Sequence, residues 1–267
     1  MKTLEMPQLG MGTWELKGKE CTDVVSLALD LGYRHIDTAH VYDNHRAIGK
    51  AIARFDRGAL FLTSKFTLNM VDFSNVRASV EKTCDNALKT LGCEYLDLYL
   101  IHWPNHVLDM AKVFQAMQGL VRKGKILRAG VSNFGIRHLE DLRKKKYIPY
   151  ANQVEFHPYL YQKELLKYCH SHRIECVAYR PLGKKKLLKE QLFKRIAEKH
   201  GKSAAQIILR WCIQKKCTVI PKSSSKTHLM ENLEIFDFSL SAAEMKLLDA
   251  LHRNKRFCGE NDPEFDY

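Results

Sequence analysis

The sequence predicts an α/β chain whose strands close into one (β/α)8 barrel spanning residues 1–267 as a single domain. Three observations predict it. Eight short apolar runs alternate with longer segments of helical periodicity, the pattern of parallel strands joined by crossovers. The GxGxxG turn of an open dinucleotide-binding sheet is missing. The nearest run, Gly10-Met11-Gly12-Thr13-Trp14-Glu15, has no third glycine and no strand–helix setting. No Pro-rich, Ser-rich or low-complexity linker divides the chain. A count of eight favours the closed barrel over the open sheet.

In chain order the strand runs are RHIDT, LFLTSK, DLYLIH, LRAGVS, ANQVEF, ECVAY, TVIPK and EIFDF, the last being the weakest. Helical patterns separate them. CTDVVSLALDLG places Val24, Val25, Leu27, Ala28 and Leu31 at helical spacing and stops at Gly32. VRASVEKTCDNALKTLG does the same with Val76, Val80, Cys84, Leu88 and Leu91, and stops at Gly92. SAAQIILRWCIQKK and SAAEMKLLDALHR open on Ser203 and Ser241, residues of the N-cap type.

Composition excludes several classes. Of 267 residues, 45% are hydrophobic and 27% charged, the balance of a globular protein. No apolar run is long enough to span a bilayer, and MKTLEMPQLGMGTWE lacks a signal-peptide core, so a cytoplasmic protein is expected. The eight cysteines are scattered without CxxC and read as reduced thiols. Neither HExxH nor a Cys/His cluster of ligand spacing is present, so no metal site is expected. The net charge of +13 gathers in runs such as Arg143–Lys146 and Lys184–Lys186. No nucleic-acid signature accompanies it, and solvated helix ends and loops account for most of it. A monomer is expected, since no apolar helix face stands unpartnered.

The ends of the runs carry the chemistry. They finish in Asp37 (with Tyr42 following), Lys65, His102, Ser132-Asn133, Gln153, Tyr179-Arg180 and Lys222-Ser223. A lone imidazole at a strand end is most often a satisfied structural group. Seven apolar runs all ending in polar groups are hard to explain by packing, and the C-terminal strand ends form the active face of such a barrel. A buried Lys beside an Asp stays charged, and an ammonium beside a phenol lowers the phenol's pKa. Asp, Lys, Tyr and His together suit protonation of an oxygen that is gaining negative charge. None of them is a convincing nucleophile, and GVSNFG is one residue too long for GxSxG.

With LGMGTWE, GYRHIDTAHVYDN, LFLTSK, YLDLYLIHWP, GKILRAGVSNF, NQVEFHPYL, AYRPLG and VIPKSS in this order, the chain resembles the aldo-keto reductases over nearly its whole length. It looks most similar to small bacterial members, among them diketogluconate and methylglyoxal reductases. The resemblance implies a TIM barrel that reduces small carbonyl compounds with NADPH. It implies Tyr42 as general acid, Lys65 and Asp37 as the pair that tunes it, and His102 as the group that orients the carbonyl. Ser132, Asn133 and Gln153 would hold the nicotinamide carboxamide, and Tyr179 would stack on the ring. Gly12, Thr13 and Trp14 would border cofactor and substrate, with Trp103 lining the substrate pocket. Arg180 and Leu182 would lie along the cofactor, and Lys222, Ser223, His228, Glu231 and Asn232 would hold its 2′-phosphate end.

The chain departs from the family pattern at His228 for Arg, Arg180 for Ser and His45 for Glu. A His clamps a 2′-phosphate less firmly than an Arg, and Arg180 would compensate by reaching the pyrophosphate. FTLNM lacks a Trp found in some relatives. With the short tail FCGENDPEFDY, that implies an open pocket of loose specificity. Two other readings are a non-catalytic nicotinamide-binding regulatory protein and, on charge alone, a nucleic-acid-associated one; the complete tetrad favours catalysis.

Overall fold

The computed structural model describes residues 4–267. Eight parallel strands follow one another in sequence order around a sheet: β1 (Met11–Gly12), β2 (His35–Asp37), β3 (Phe61–Phe66), β4 (Leu98–Ile101), β5 (Ala129–Ser132), β6 (Ala151–Glu155), β7 (Glu175–Tyr179) and β8 (Cys217–Val219). The last strand returns to the first. Val219 N–H donates to the Gln8 carbonyl at 2.8 Å, and Gly10 N–H to the Val219 carbonyl at 2.8 Å, which closes the barrel. The helices pack outside: α1 (Gly18–Asp30), α2 (His45–Ile52), α3 (Val76–Leu91), α4 (Met110–Arg122), α5 (Ile136–Lys144), α6 (Lys163–Ser171), α7 (Gln191–His200), α8 (Ala204–Gln214), α9 (Lys226–Leu233) and α10 (Ala242–Asp249). Among the described residues no helix is long and apolar enough to cross a membrane.

One of the eight expected strands is corrected. EIFDF is not a strand; it links α9 to α10, with Ile235 buried and Phe236 exposed. Its place is taken by Met11–Gly12, a segment that reads as a loop because of its glycines. Those glycines are what lets it pack. A Cβ on Gly10 would come within 2.7 Å of the His35 ring, and one on Gly12 within 2.7 Å of the Ile220 carbonyl. The helix ends follow the sequence closely. Ser203 with Gln206, and Ser241 with Glu244, form capping boxes. Gly92 ends α3 in the left-handed region at φ 68°.

Period-two alternation sorts the barrel interior into layers. Phe61, Leu98, Leu100, Ala151, Val177 and Ile220 fill the lower part. Two residues further along the same faces, the side chains turn polar: Lys65 follows Phe61 and Thr63, His102 follows Leu98 and Leu100, Gln153 follows Ala151, and Tyr179 follows Val177. The strand pattern therefore delivers these groups to one end. A second, larger core lies between the strands and the helices.

Two buried imidazoles make stability depend on acid. His35 bonds Thr63 Oγ1 (3.0 Å) and His45 bonds Ser64 Oγ (2.9 Å). Burial is the main cause that pulls each down from 6.5 to about 4. The unfolded chain therefore takes up protons below pH 6.5 that the folded chain refuses until about pH 4. Stability is full above that window and falls as pH drops through it, at up to about 1.4 kcal/mol per pH unit for each His. Urea unfolding at pH 7, 5.5 and 4.5 should show this slope, and His45→Gln should make it shallower.

Candidate active site

At the C-terminal end of the barrel, Lys65 is 1% exposed. Its ammonium donates to Asp37 Oδ1 at 2.6 Å and to the Thr38 carbonyl at 2.8 Å. Gln153 Nε2 donates to the other Asp37 oxygen at 2.7 Å. Burial alone would discharge the lysine, but Asp37 and Tyr42 outweigh it and raise its pKa. The ammonium also lies 5.0 Å from the centre of the Tyr42 ring.

Tyr42 sits on a 3-10 turn (His40–Tyr42) that ends with Asp43 in the left-handed region. Its ring meets Trp14 at 4.8 Å and His102 at 5.9 Å, both edge to face. Here the electrostatic expectation is corrected. Burial raises the phenol's pKa more than the Lys65 ammonium lowers it, so the net direction is up. The group is therefore a fully protonated phenol at neutral pH. Burial, assisted by Lys65, pushes the His102 imidazole down to about 3, so it is neutral. Its Nδ1 is buried without a hydrogen-bond partner among the described residues.

A polar shelf faces this cluster. Ser132 Oγ donates to the Gln153 carbonyl (2.8 Å), and Asn133 Nδ2 donates to the His102 carbonyl (3.0 Å). Tyr179 Oη donates to Asn133 Oδ1 (2.8 Å), which fixes the Tyr179 ring beside the shelf. Asn133 adopts φ 65°, a left-handed conformation that Asn tolerates and that ends β5 abruptly. Thr13 Oγ1 donates to the Asp37 carbonyl (2.9 Å) and ties the β1 loop to β2.

A cavity of about 270 Å³ opens over these groups. Its lining unites Gly12, Thr13, Trp14, Asp37, Tyr42, His102, Trp103, Ser132, Asn133, Gln153, Tyr179, Arg180 and Lys222. Lys65 lies beneath it, bonded to Asp37. Leu182, Ser223, His228, Glu231 and Asn232 do not line it. Ser223 accepts from Ser225 N–H (3.1 Å), His228 is exposed on the first turn of α9, and Asn232 is buried. Sequence reasoning missed Val41, Ile220 and Cys258 in the lining. Val41 and Ile220 had a signal, since each adjoins or nearly adjoins a predicted site residue. Cys258 had none, because the path of the tail is set by tertiary contacts.

The tail is anchored beside the cavity, which Cys258 helps to line. Glu155 accepts the Phe257 and Cys258 N–H groups at 2.8 and 3.0 Å. Glu264 accepts from the His106 backbone and pairs with the His106 and His138 rings at 2.8 and 2.7 Å. Next to the second anchor, Phe265 packs edge to face on Trp103 at 5.6 Å. Gly259, at φ 62°, comes so close to Trp103 that a Cβ would stand 2.8 Å from its ring. The tail thus fixes the Trp103 wall. Arg180 Nη1 donates to the Phe257 carbonyl at 2.6 Å and so serves the tail.

Known proteins share this chain's fold and much of its sequence. The aldo/keto reductase family model matches residues 8–253. A relative named glyoxal reductase, from Bacillus subtilis (strain 168), is 43% identical over 98% of this chain and 94% of its own. A 9,11-endoperoxide prostaglandin H2 reductase from Trypanosoma cruzi (strain CL Brener) is 38% identical over 98% and 94%. The solved structure of MGS-M4, an aldo-keto reductase enzyme from a Medee basin deep-sea metagenome library, superimposes with a TM-score of 0.91. It is 36% identical and covers 97% of this chain and 96% of its own. A barrel that gathers Asp37, Lys65, Tyr42 and His102 at one end, matched along its length by these relatives, belongs to the aldo/keto reductase family of oxidoreductases.

Proposed function

We infer that the protein reduces small aldehydes and ketones to alcohols with NADPH, and that 2-oxoaldehydes such as methylglyoxal and sugar-derived carbonyls such as diketogluconate are its substrate class. One observation carries the reading: a protonated, buried Tyr42 over a buried Lys65–Asp37 pair, with a neutral His102 beside it. The B. subtilis relative, named a glyoxal reductase, supports the substrate class.

The donor set fits a nicotinamide. A hydroxyl (Ser132), two side-chain amides (Asn133, Gln153) and a fixed phenol ring (Tyr179) share one wall, and His102 Nδ1 beside them lacks a partner among the described residues. NADPH, when bound, supplies the hydride that the carbonyl carbon receives. Tyr42 gives its phenol proton to the carbonyl oxygen. Lys65 then stabilises the phenolate, with Asp37 holding the ammonium in place. His102 donates to the same oxygen from its neutral ring and orients the carbonyl. Trp14 and Trp103 wall the substrate and exclude water. At neutral pH the phenol holds the proton that reduction needs, whereas the reverse oxidation needs the phenolate and gains in alkali.

Lys222 is exposed at the edge of the cavity, whereas His228 lies outside the lining, so Lys222 is the cation we assign to the 2′-phosphate. Lys222→Ala should raise the KM for NADPH about tenfold or more, the worth of one charge-assisted hydrogen bond, and leave that for NADH unchanged. Steady-state consumption of each cofactor with methylglyoxal measures this. Equal loss for both cofactors would remove the phosphate assignment.

A further inference from the structure

A second concavity lies on the outer side of the Tyr42 turn, among α1, α2 and α3. It measures about 830 Å³, within the usual range of small-molecule sites. Its cationic lining is Lys17, Lys19, Arg46 and Lys50, against the carboxylates of Asp23 and Asp43, with the His40 and His45 rings beside them. Asp23 is paired with Lys19 one turn away. Lys17, Arg46 and Lys50 make no ion pair among the described residues, so the lining keeps an excess of positive charge.

Two helix N-termini open into the same space. α1 begins behind Lys17, which gives no side-chain cap. α2 begins behind Asn44, a residue type favoured as an N-cap. Its side chain is turned away. The amide donates to the Thr13 and Leu16 carbonyls at 3.0 and 3.1 Å, and its oxygen accepts from Thr38 Oγ1 at 2.6 Å. No side-chain cap therefore reaches the first turn of α2. Both helices present free N–H groups and the positive end of the helix dipole to the cavity.

His45 adds an independent sign of a ligand. It is 6% exposed, lines the cavity, and spends Nε2 on Ser64 Oγ at 2.9 Å. Its Nδ1 makes no hydrogen bond among the described residues. The Ser64 hydroxyl can donate to Nε2, which leaves Nδ1 to carry the proton and donate into the cavity.

We propose that this cavity is a second binding site, for the phosphate group of a small metabolite. A phosphate dianion matches the excess charge, the uncapped N–H groups and the free imidazole nitrogen. The volume leaves room for the organic part of the ligand. The site goes beyond the reductase reading and does not depend on it. It shares a wall with the reaction cavity, because His40 and Asp43 line one space while Val41 and Tyr42 line the other.

The test is calorimetric titration of inorganic phosphate into the full chain at constant ionic strength, with chloride as the balancing anion. Wild type should bind phosphate saturably. Arg46→Gln/Lys50→Gln should weaken that binding at least about tenfold. Both positions are exposed, so the fold should survive, as a melting curve will verify. Lys222→Ala should leave this binding intact. No saturable binding to wild type, binding retained by the double variant, or binding lost in Lys222→Ala would each overturn the proposal.

Discussion

Replacing Tyr42 by Phe is expected to lower kcat for carbonyl reduction by about 10² to 10⁴, the usual contribution of a positioned general acid. The phenol oxygen is the only group removed. The ring keeps its edge contact with Trp14 and its place near Lys65, so the fold and NADPH affinity should not change. Single-turnover rates give the chemical step, and fluorescence titration gives the affinity. A fall of less than about tenfold would move the proton source to His102 or to water. The pH profile offers a second check. Burial holds the Tyr42 pKa above its ordinary value, so reduction by wild type should be flat through neutrality and decline only in alkali.

Lys65→Met is expected to cost about 3–5 kcal/mol of folding stability, because it strands the Asp37 carboxylate in a site that is 2% exposed. Gln153 would remain as a donor to Asp37, but a single amide does not offset the loss of the ammonium. The double variant Asp37→Asn/Lys65→Met should recover part of the loss, since it removes the stranded charge. Urea unfolding of the three proteins measures both effects. The sign with pH follows from the raised pKa of Lys65. Its contribution is fully present below the unfolded value near 10.5 and is lost as pH rises through the folded value. The gap between wild type and Lys65→Met should therefore hold from pH 7 to 10 and narrow above. A gap below about 1 kcal/mol at pH 7 would mean that the pair is better solvated than its burial implies.

Much of the site was legible because strand alternation and strand ends are local features. Lys65, His102, Gln153 and Tyr179 each continue an apolar period-two run, so their arrival at one face could be read from spacing. β1 was not legible. Its two residues carry too little hydrophobic signal, and the glycines that suggest a loop are required by close approach to His35 and Ile220. EIFDF misled for the opposite reason: its apolar residues serve packing outside the barrel. The net direction of the Tyr42 pKa was also hidden, since sequence shows the Lys partner but not the degree of burial that outweighs it. The tail's route over Trp103 depends on Glu155, His106 and His138, contacts more than a hundred residues apart in the chain. Asn44 stands at the N-terminus of α2 without capping it, because its amide is drawn to Thr13 and Leu16.

The most direct test of the reductase account is consumption of NADPH by the purified wild-type protein with methylglyoxal as the acceptor, followed by absorbance. The account predicts turnover on the order of 1 s⁻¹ or faster, with the alcohol as product. Tight NADPH binding without turnover, for methylglyoxal and for a panel of small aldehydes and sugar-derived ketones, would contradict it and favour a nicotinamide-binding protein with no reaction of its own.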